Sequence, residues 1–85
     1  MKYQIDFKPS AARELRKLSK DIARRISIKI ESLAENPFPH SYTEMKGSKN
    51  YYRVKVGDYR IIYTVEHGEL LILVVTIGHR CEIYR

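Results

Sequence analysis

The sequence predicts an α+β fold, with an N-terminal strand and a helical hairpin packed on one face of a small antiparallel β-sheet, in the order β-α-α-β-β-β. Three observations predict it. Residues 3–7 alternate between apolar and polar side chains, as a short strand does. Apolar residues then recur at helical spacing, first as Ala11, Leu15, Leu18 and Ile22, then as Ile22, Ile26, Ile30 and Leu33. From Tyr51 onward, three runs rich in Val, Ile, Leu and Tyr are separated by short turns that contain glycine.

Each element has a local reason. Pro9 suits the opening turn of a helix, where its missing N–H would have no partner in any case. Ser19 is placed to cap a second helix, so the two helices form a hairpin joined there. Asn36-Pro37-Phe38-Pro39 stops that helix, because proline neither donates to the ladder nor tolerates a helical residue before it. Residues 40–50 read as a polar loop. Strands are predicted over 51–56, 59–66 and 69–78, with Gly57-Asp58 as a type II′ turn and His67-Gly68 as a second two-residue turn.

The chain has 85 residues, enough for one core, and residues 1–85 read as a single domain. Sixteen basic against ten acidic residues give a formal charge of +6, which favours polyanionic partners. The lone Cys81 cannot form an internal disulfide, and the three histidines have no ligand spacing around it. The expectation is a cytoplasmic protein with no metal, no cofactor and no membrane span.

The two hairpin turns assign side chains to faces if no strand carries a bulge. One face holds Tyr52, Val54, Val56, Ile61, Tyr63, Val65, Leu70, Ile72 and Val74, and should take the helices. The other holds Arg53, Lys55, Arg60, Ile62, Leu71, Leu73, Val75, Ile77 and His79. Lys55 then stands directly opposite Arg60, and like charges so placed are destabilising unless something anionic sits between them. A phosphate is the best candidate. Arg80 follows the last strand and Tyr84 lies just beyond it, a ring suited to base stacking or proton transfer. His79 is a candidate acid or base. Lys46, Arg16, Lys17, Lys20 and Arg24 are candidates for contacts to an RNA backbone. Ile62, Leu73 and Val75 form an aliphatic strip suited to a protein partner.

The order of motifs resembles the RelE/ParE superfamily of bacterial and archaeal toxins, and within it the RelE-type mRNA interferases. The resemblance rests on Phe7-Lys8-Pro9-Ser10-Ala11-Ala12-Arg13-Glu14-Leu15, Leu33-Ala34-Glu35-Asn36-Pro37-Phe38-Pro39 and Met45-Lys46-Gly47-Ser48. It continues through Tyr52-Arg53-Val54-Lys55-Val56-Gly57-Asp58-Tyr59-Arg60-Ile61-Ile62-Tyr63, Ile77-Gly78-His79-Arg80 and Ile83-Tyr84-Arg85. It implies a toxin of a type II toxin–antitoxin system that cleaves mRNA in the ribosomal A site, the nucleotide's own 2′-OH attacking the adjacent phosphate. By position it implies catalytic roles for Arg53, Lys55, Arg60, Arg80 and Tyr84, and a possible one for His79. Arg53 stands where some members carry lysine, and the two differ in geometry and acidity. The implied partners are a RelB-like antitoxin that covers the strip at Ile62, Leu73 and Val75, the ribosome and its mRNA, and operator DNA only through the antitoxin complex. Two alternatives share much of this pattern: a ParE-like gyrase inhibitor without nuclease activity, and an inactive module that binds antitoxin and operator.

Overall fold

The structure, a computed structural model, describes residues 2–39, 42–44 and 51–79. Its elements are β1 (Gln4–Phe7), α1 (Pro9–Lys17), α2 (Lys20–Glu35), β2 (Thr43–Glu44), β3 (Tyr51–Val56), β4 (Tyr59–Glu66) and β5 (Leu71–His79). The α+β order β-α-α-β-β-β stands, with the two-residue β2 added inside the segment read as a loop. The strands form one sheet in the order β1-β5-β4-β3-β2. It is mixed rather than wholly antiparallel, because β1 runs parallel to β5, from Gln4 opposite Leu71 to Phe7 opposite Val74.

The helices form where the sequence punctuates them. Pro9 opens α1, and Lys8 precedes it in an extended conformation. Ser19 occupies the capping position of α2 with φ −61° and ψ 156°, but its hydroxyl makes no capping bond. Only its carbonyl takes part, accepting from the Ala23 N–H at 2.9 Å. At the other end the Asn36 side chain accepts from the Phe38 N–H at 3.1 Å, closing a turn that ends the helix. Pro37 then offers its carbonyl to the buried Tyr63 hydroxyl at 2.6 Å.

The core lies between the helical hairpin and one sheet face. Ala11, Ile26, Ile30 and Leu33 from the helices meet Tyr52, Val54, Ile61, Tyr63, Val65, Ile72, Val74 and Ile77 from the strands. Each fully buried aliphatic side chain here contributes about 1.5–3 kcal/mol. The helical stripe and most of the sheet face are those the periodicity predicts.

The β4–β5 hairpin departs from prediction twice. Its loop is four residues long, 67–70, so Glu66 pairs with Leu71. Leu70 takes the left-handed conformation, φ 51°, while Gly68 does not. Leu70 is therefore a turn residue and not a member of the core face. A two-residue shift preserves faces, so Ile72 and Val74 still point inward. Farther along, Ile62 pairs with Thr76 but Tyr63 with Val74, which leaves Val75 as the extra residue of a bulge. That one residue reverses the facing of the rest of β5. Ile77 faces Ile61 in the core, 2% exposed, and His79 faces Tyr59 on the helix side. The assignment of Ile77 and His79 to the basic face is therefore corrected by the bulge.

Candidate functional site

The first hairpin sets the geometry of the basic face. Gly57 has φ +59° and Asp58 has a negative φ, so the turn is type II′ as its glycine-first sequence predicts. Val56 then pairs with Tyr59 and Lys55 with Arg60. One pair farther along the face, Arg53 lies opposite Ile62 on β4 and Thr43 on β2. Arg53, Lys55 and Arg60 thus share the face away from the helices.

Their surroundings differ. Lys55 is exposed, Arg53 is half-buried and Arg60 is 7% exposed. Arg60 is the one charged residue among the buried side chains of the described residues. Its Nη1 donates to the Tyr59 carbonyl at 3.4 Å. On β5 it faces Gly78, which projects no side chain across it. A guanidinium held in place by its own backbone, beside an exposed ammonium, can hold a tetrahedral or trigonal-bipyramidal oxyanion through several N–H donors.

The other candidate residues are dispersed. His79 packs edge-on against Tyr59, centroids 5.4 Å apart and planes at 82°, on the opposite side of the sheet from Arg60. Arg16, Lys17, Lys20 and Arg24 are exposed on the helical layer, so they do not join the sheet cluster. Ile62 is 8% exposed, and Leu73 and Val75 are half-buried. Lys46, Arg80 and Tyr84 lie outside the described residues, as does Cys81.

An aromatic cluster closes the other end of the sheet. Phe38 touches Tyr42, Tyr52 and His67 with centroids 5.2, 5.0 and 5.7 Å away. The Tyr3 hydroxyl is 2.9 Å from His67 Nδ1. Burial raises the Tyr52 and Tyr63 phenols above their ordinary value near 10, and Glu44 adds to the effect at Tyr52. Both are stabilised as neutral rings, which suits core packing and not proton transfer.

Similarity to known proteins identifies the family to which this fold belongs. A family model described as the ParE toxin of the type II toxin–antitoxin system parDE matches residues 5–84. The chain belongs to the RelE/ParE toxin superfamily. A RelE-like toxin protein of Escherichia coli is 33% identical over 82 residues, covering 94% of this chain and 85% of that one. The mRNA interferase toxin RelE of Escherichia coli K12 is 27% identical over 88 residues, covering 99% and 92%. Among solved structures, an archaeal RelE–RelB complex from Pyrococcus horikoshii superposes with a TM-score of 0.83 at 26% identity, covering 94% of this chain and 97% of that one. This member of the superfamily is a RelE-like toxin of a toxin–antitoxin system.

Two cations escaped the sequence reading. Arg25 and Lys29 of α2 share a groove with Lys55 at the β3–β4 turn. The clue available in sequence was their spacing: Arg25, Ile28, Lys29 and Ser32 form a second helical stripe beside the core stripe.

Proposed function

We propose that this toxin is a ribosome-dependent endoribonuclease that cleaves mRNA in the A site. The single observation that carries the reading is the pairing of Lys55 with the buried Arg60, with Arg53 on the same face. A sheet that sets two cations against each other gains from an anion between them, and an mRNA phosphate fits that place. In the proposed reaction the 2′-oxygen attacks the adjacent phosphorus, and its proton passes to a base. The P–O bond to the next nucleotide's 5′-oxygen breaks, and that oxygen takes up a proton, leaving a cyclic phosphate and a free 5′-hydroxyl. Negative charge peaks on the phosphoryl oxygens at the five-coordinate stage. Fixed cations aimed at that charge lower the barrier more than they strengthen binding.

Arg60 is the main charge stabiliser in this scheme, Lys55 and Arg53 hold the flanking phosphates, and Arg80 and Tyr84 complete the site as the resemblance implies. Lys46, Arg16, Lys17, Lys20 and Arg24 contact the ribosome or RNA backbone. His79, turned to the helix side, is assigned no proton transfer. The partner in control is a RelB-like antitoxin, as in the complexes this chain resembles, and it covers the face around Ile62, Leu73 and Val75. Action is cytoplasmic, where ribosomes translate. The ParE description of the matching family model favours one second reading, a gyrase inhibitor that does not cut RNA.

Toeprinting on translating ribosomes tests the choice. Stops within the A-site codon that depend on added protein are the expected result. Accumulation of gyrase–DNA cleavage complexes with intact mRNA would replace this reading by the second.

A further inference from the structure

The groove between α2 and the β3–β4 turn, at the end of the sheet, has a chemistry of its own. Two hollows of about 210 and 310 Å³ lie side by side, with Arg25, Val56 and Gly57 in the lining of both. Their apolar lining is Ile22, Val56 and Tyr59, all half-buried. Ile28 lines one side and is 57% exposed, more than any other large hydrophobic residue among those described. A lone exposed isoleucine is ordinary, but one beside a concave apolar lining leaves continuous surface for a ligand to cover. Arg25, Lys29 and Lys55 flank it, and among the described residues none of the three takes part in an ion pair. Asp58 is the one acidic residue in the lining among the described residues.

We propose that this groove seats an acidic peptide segment with an aliphatic anchor, contributed by the antitoxin, and that its carboxylates draw Lys55 away from the phosphate site. The proposal rests on the reading of Lys55 and Arg60 as that site. Charge complementarity selects an acidic occupant, and the aliphatic lining selects a peptide over RNA. A phosphodiester supplies charge but nothing to cover Ile22, Ile28 and Val56. A base seeks a free aromatic face, and the one ring in the groove, Tyr59, is already packed edge-on with His79. Lys55 links control to chemistry, because it lines the groove and also pairs with Arg60 across β3 and β4. One occupant can therefore be held by Arg25 and Lys29 while it competes for Lys55.

The test titrates isotope-labelled toxin with a short capped peptide alternating leucine and glutamate, followed by amide NMR. Shifts at Arg25, Ile28, Lys29, Val56 and Gly57 are expected. Binding should weaken by ~10-fold or more in Arg25→Glu/Lys29→Glu, and also in Ile28→Ser, which alters an exposed side chain and leaves the core intact. Equal binding of a leucine–lysine peptide, shifts confined to the opposite sheet face, or displacement of the peptide by a short oligouridine would each overturn the proposal. The neutral variant Arg25→Gln/Lys29→Gln, which sets no carboxylate beside Lys55, should cleave on ribosomes at the wild-type rate, and a loss there would make the groove a ribosome contact instead. Failure of the unmodified protein to cleave at all would count against the nuclease reading, and the peptide titration would still decide the groove.

Discussion

Arg60 combines burial with a permanent charge, and that combination is costly. Desolvating an ion costs several kcal/mol unless hydrogen bonds and opposite charge offset it. Its bond to the Tyr59 carbonyl offsets part, and Lys55 across the strand pair adds repulsion. A phosphate between Lys55 and Arg60 would turn that repulsion into attraction for both cations. Arg60→Ala should therefore lower single-turnover cleavage by ~10²-fold or more. Ribosome affinity should change far less, since it is spread over many exposed cations. Wild-type cleavage by a folded Arg60→Ala protein would remove Arg60 from the site. His79 offers the contrast. The Val75 bulge sets it against Tyr59, away from Arg60. His79→Ala should leave the pH profile of cleavage unchanged and lower its rate less than threefold, while losing part of the packing with Tyr59. A reshaped pH profile would return His79 to the reaction.

At the scale of elements, the two hairpins differ in how far sequence specified them. Gly57-Asp58 predicted turn, register and the Lys55–Arg60 pairing, because a glycine at the first central position leaves few alternatives. His67-Gly68 misled, because the left-handed conformation falls on Leu70 and not on the glycine. The bulge at Val75 had little signal: the run from Leu70 to Val75 is apolar throughout, so alternation cannot reveal where a residue drops out of register, and only Thr76, which an unbulged strand would turn toward the core, interrupts it. The helices, with clear stripes and proline stops, were legible, as was the Arg53, Lys55 and Arg60 face. The groove cations Arg25 and Lys29 were not, because their role depends on where the turn comes to rest. Gly57→Ala should cost about 1–2 kcal/mol in chemical denaturation through left-handed backbone strain. Steric clash adds little, since a Cβ there would lie 3.5 Å from Arg25 Nη2. The variant should also cleave more slowly, because the strain acts on the turn that aligns Lys55 with Arg60. Tyr63 tests the other end. Its hydroxyl donates to Pro37, tying β4 to the stop of α2, and Tyr63→Phe should lose about 1 kcal/mol near neutral pH. Because its folded value is raised above the ordinary 10, the unfolded chain sheds this proton first as pH climbs. Stability from this group is thus full below pH 10 and declines above it. The phenylalanine variant should show a shallower alkaline decline, and an identical slope would contradict the assigned role.

Across the whole molecule, charge and apolar surface are divided between layers. The helices carry exposed cations on their outer side, the basic strands carry the candidate phosphate site, and β5 carries half-buried aliphatics beside it. The net +6 draws the protein toward polyanions without choosing among them. Selection must come from local geometry, and inhibition from covering it. Leu73 is the best probe of that cover on the sheet face. It is half-buried, pairs with Thr64 on β4 and Asp6 on β1, and belongs to no core contact set. An aspartate there would face Asp6 across the parallel pair, and like-charge repulsion would confuse loss of partner with loss of fold. Threonine avoids this, since its β-branched side chain favours a strand while removing aliphatic surface. Leu73→Thr should weaken binding of the cognate antitoxin by ~5–30-fold, in line with a loss of about 1–2 kcal/mol of apolar burial, and leave ribosomal cleavage by the free toxin near wild type. Calorimetry of the complex alongside cleavage of free toxin separates the two effects. Unchanged antitoxin affinity would place the inhibitory contact elsewhere, with the α2 groove as the remaining surface.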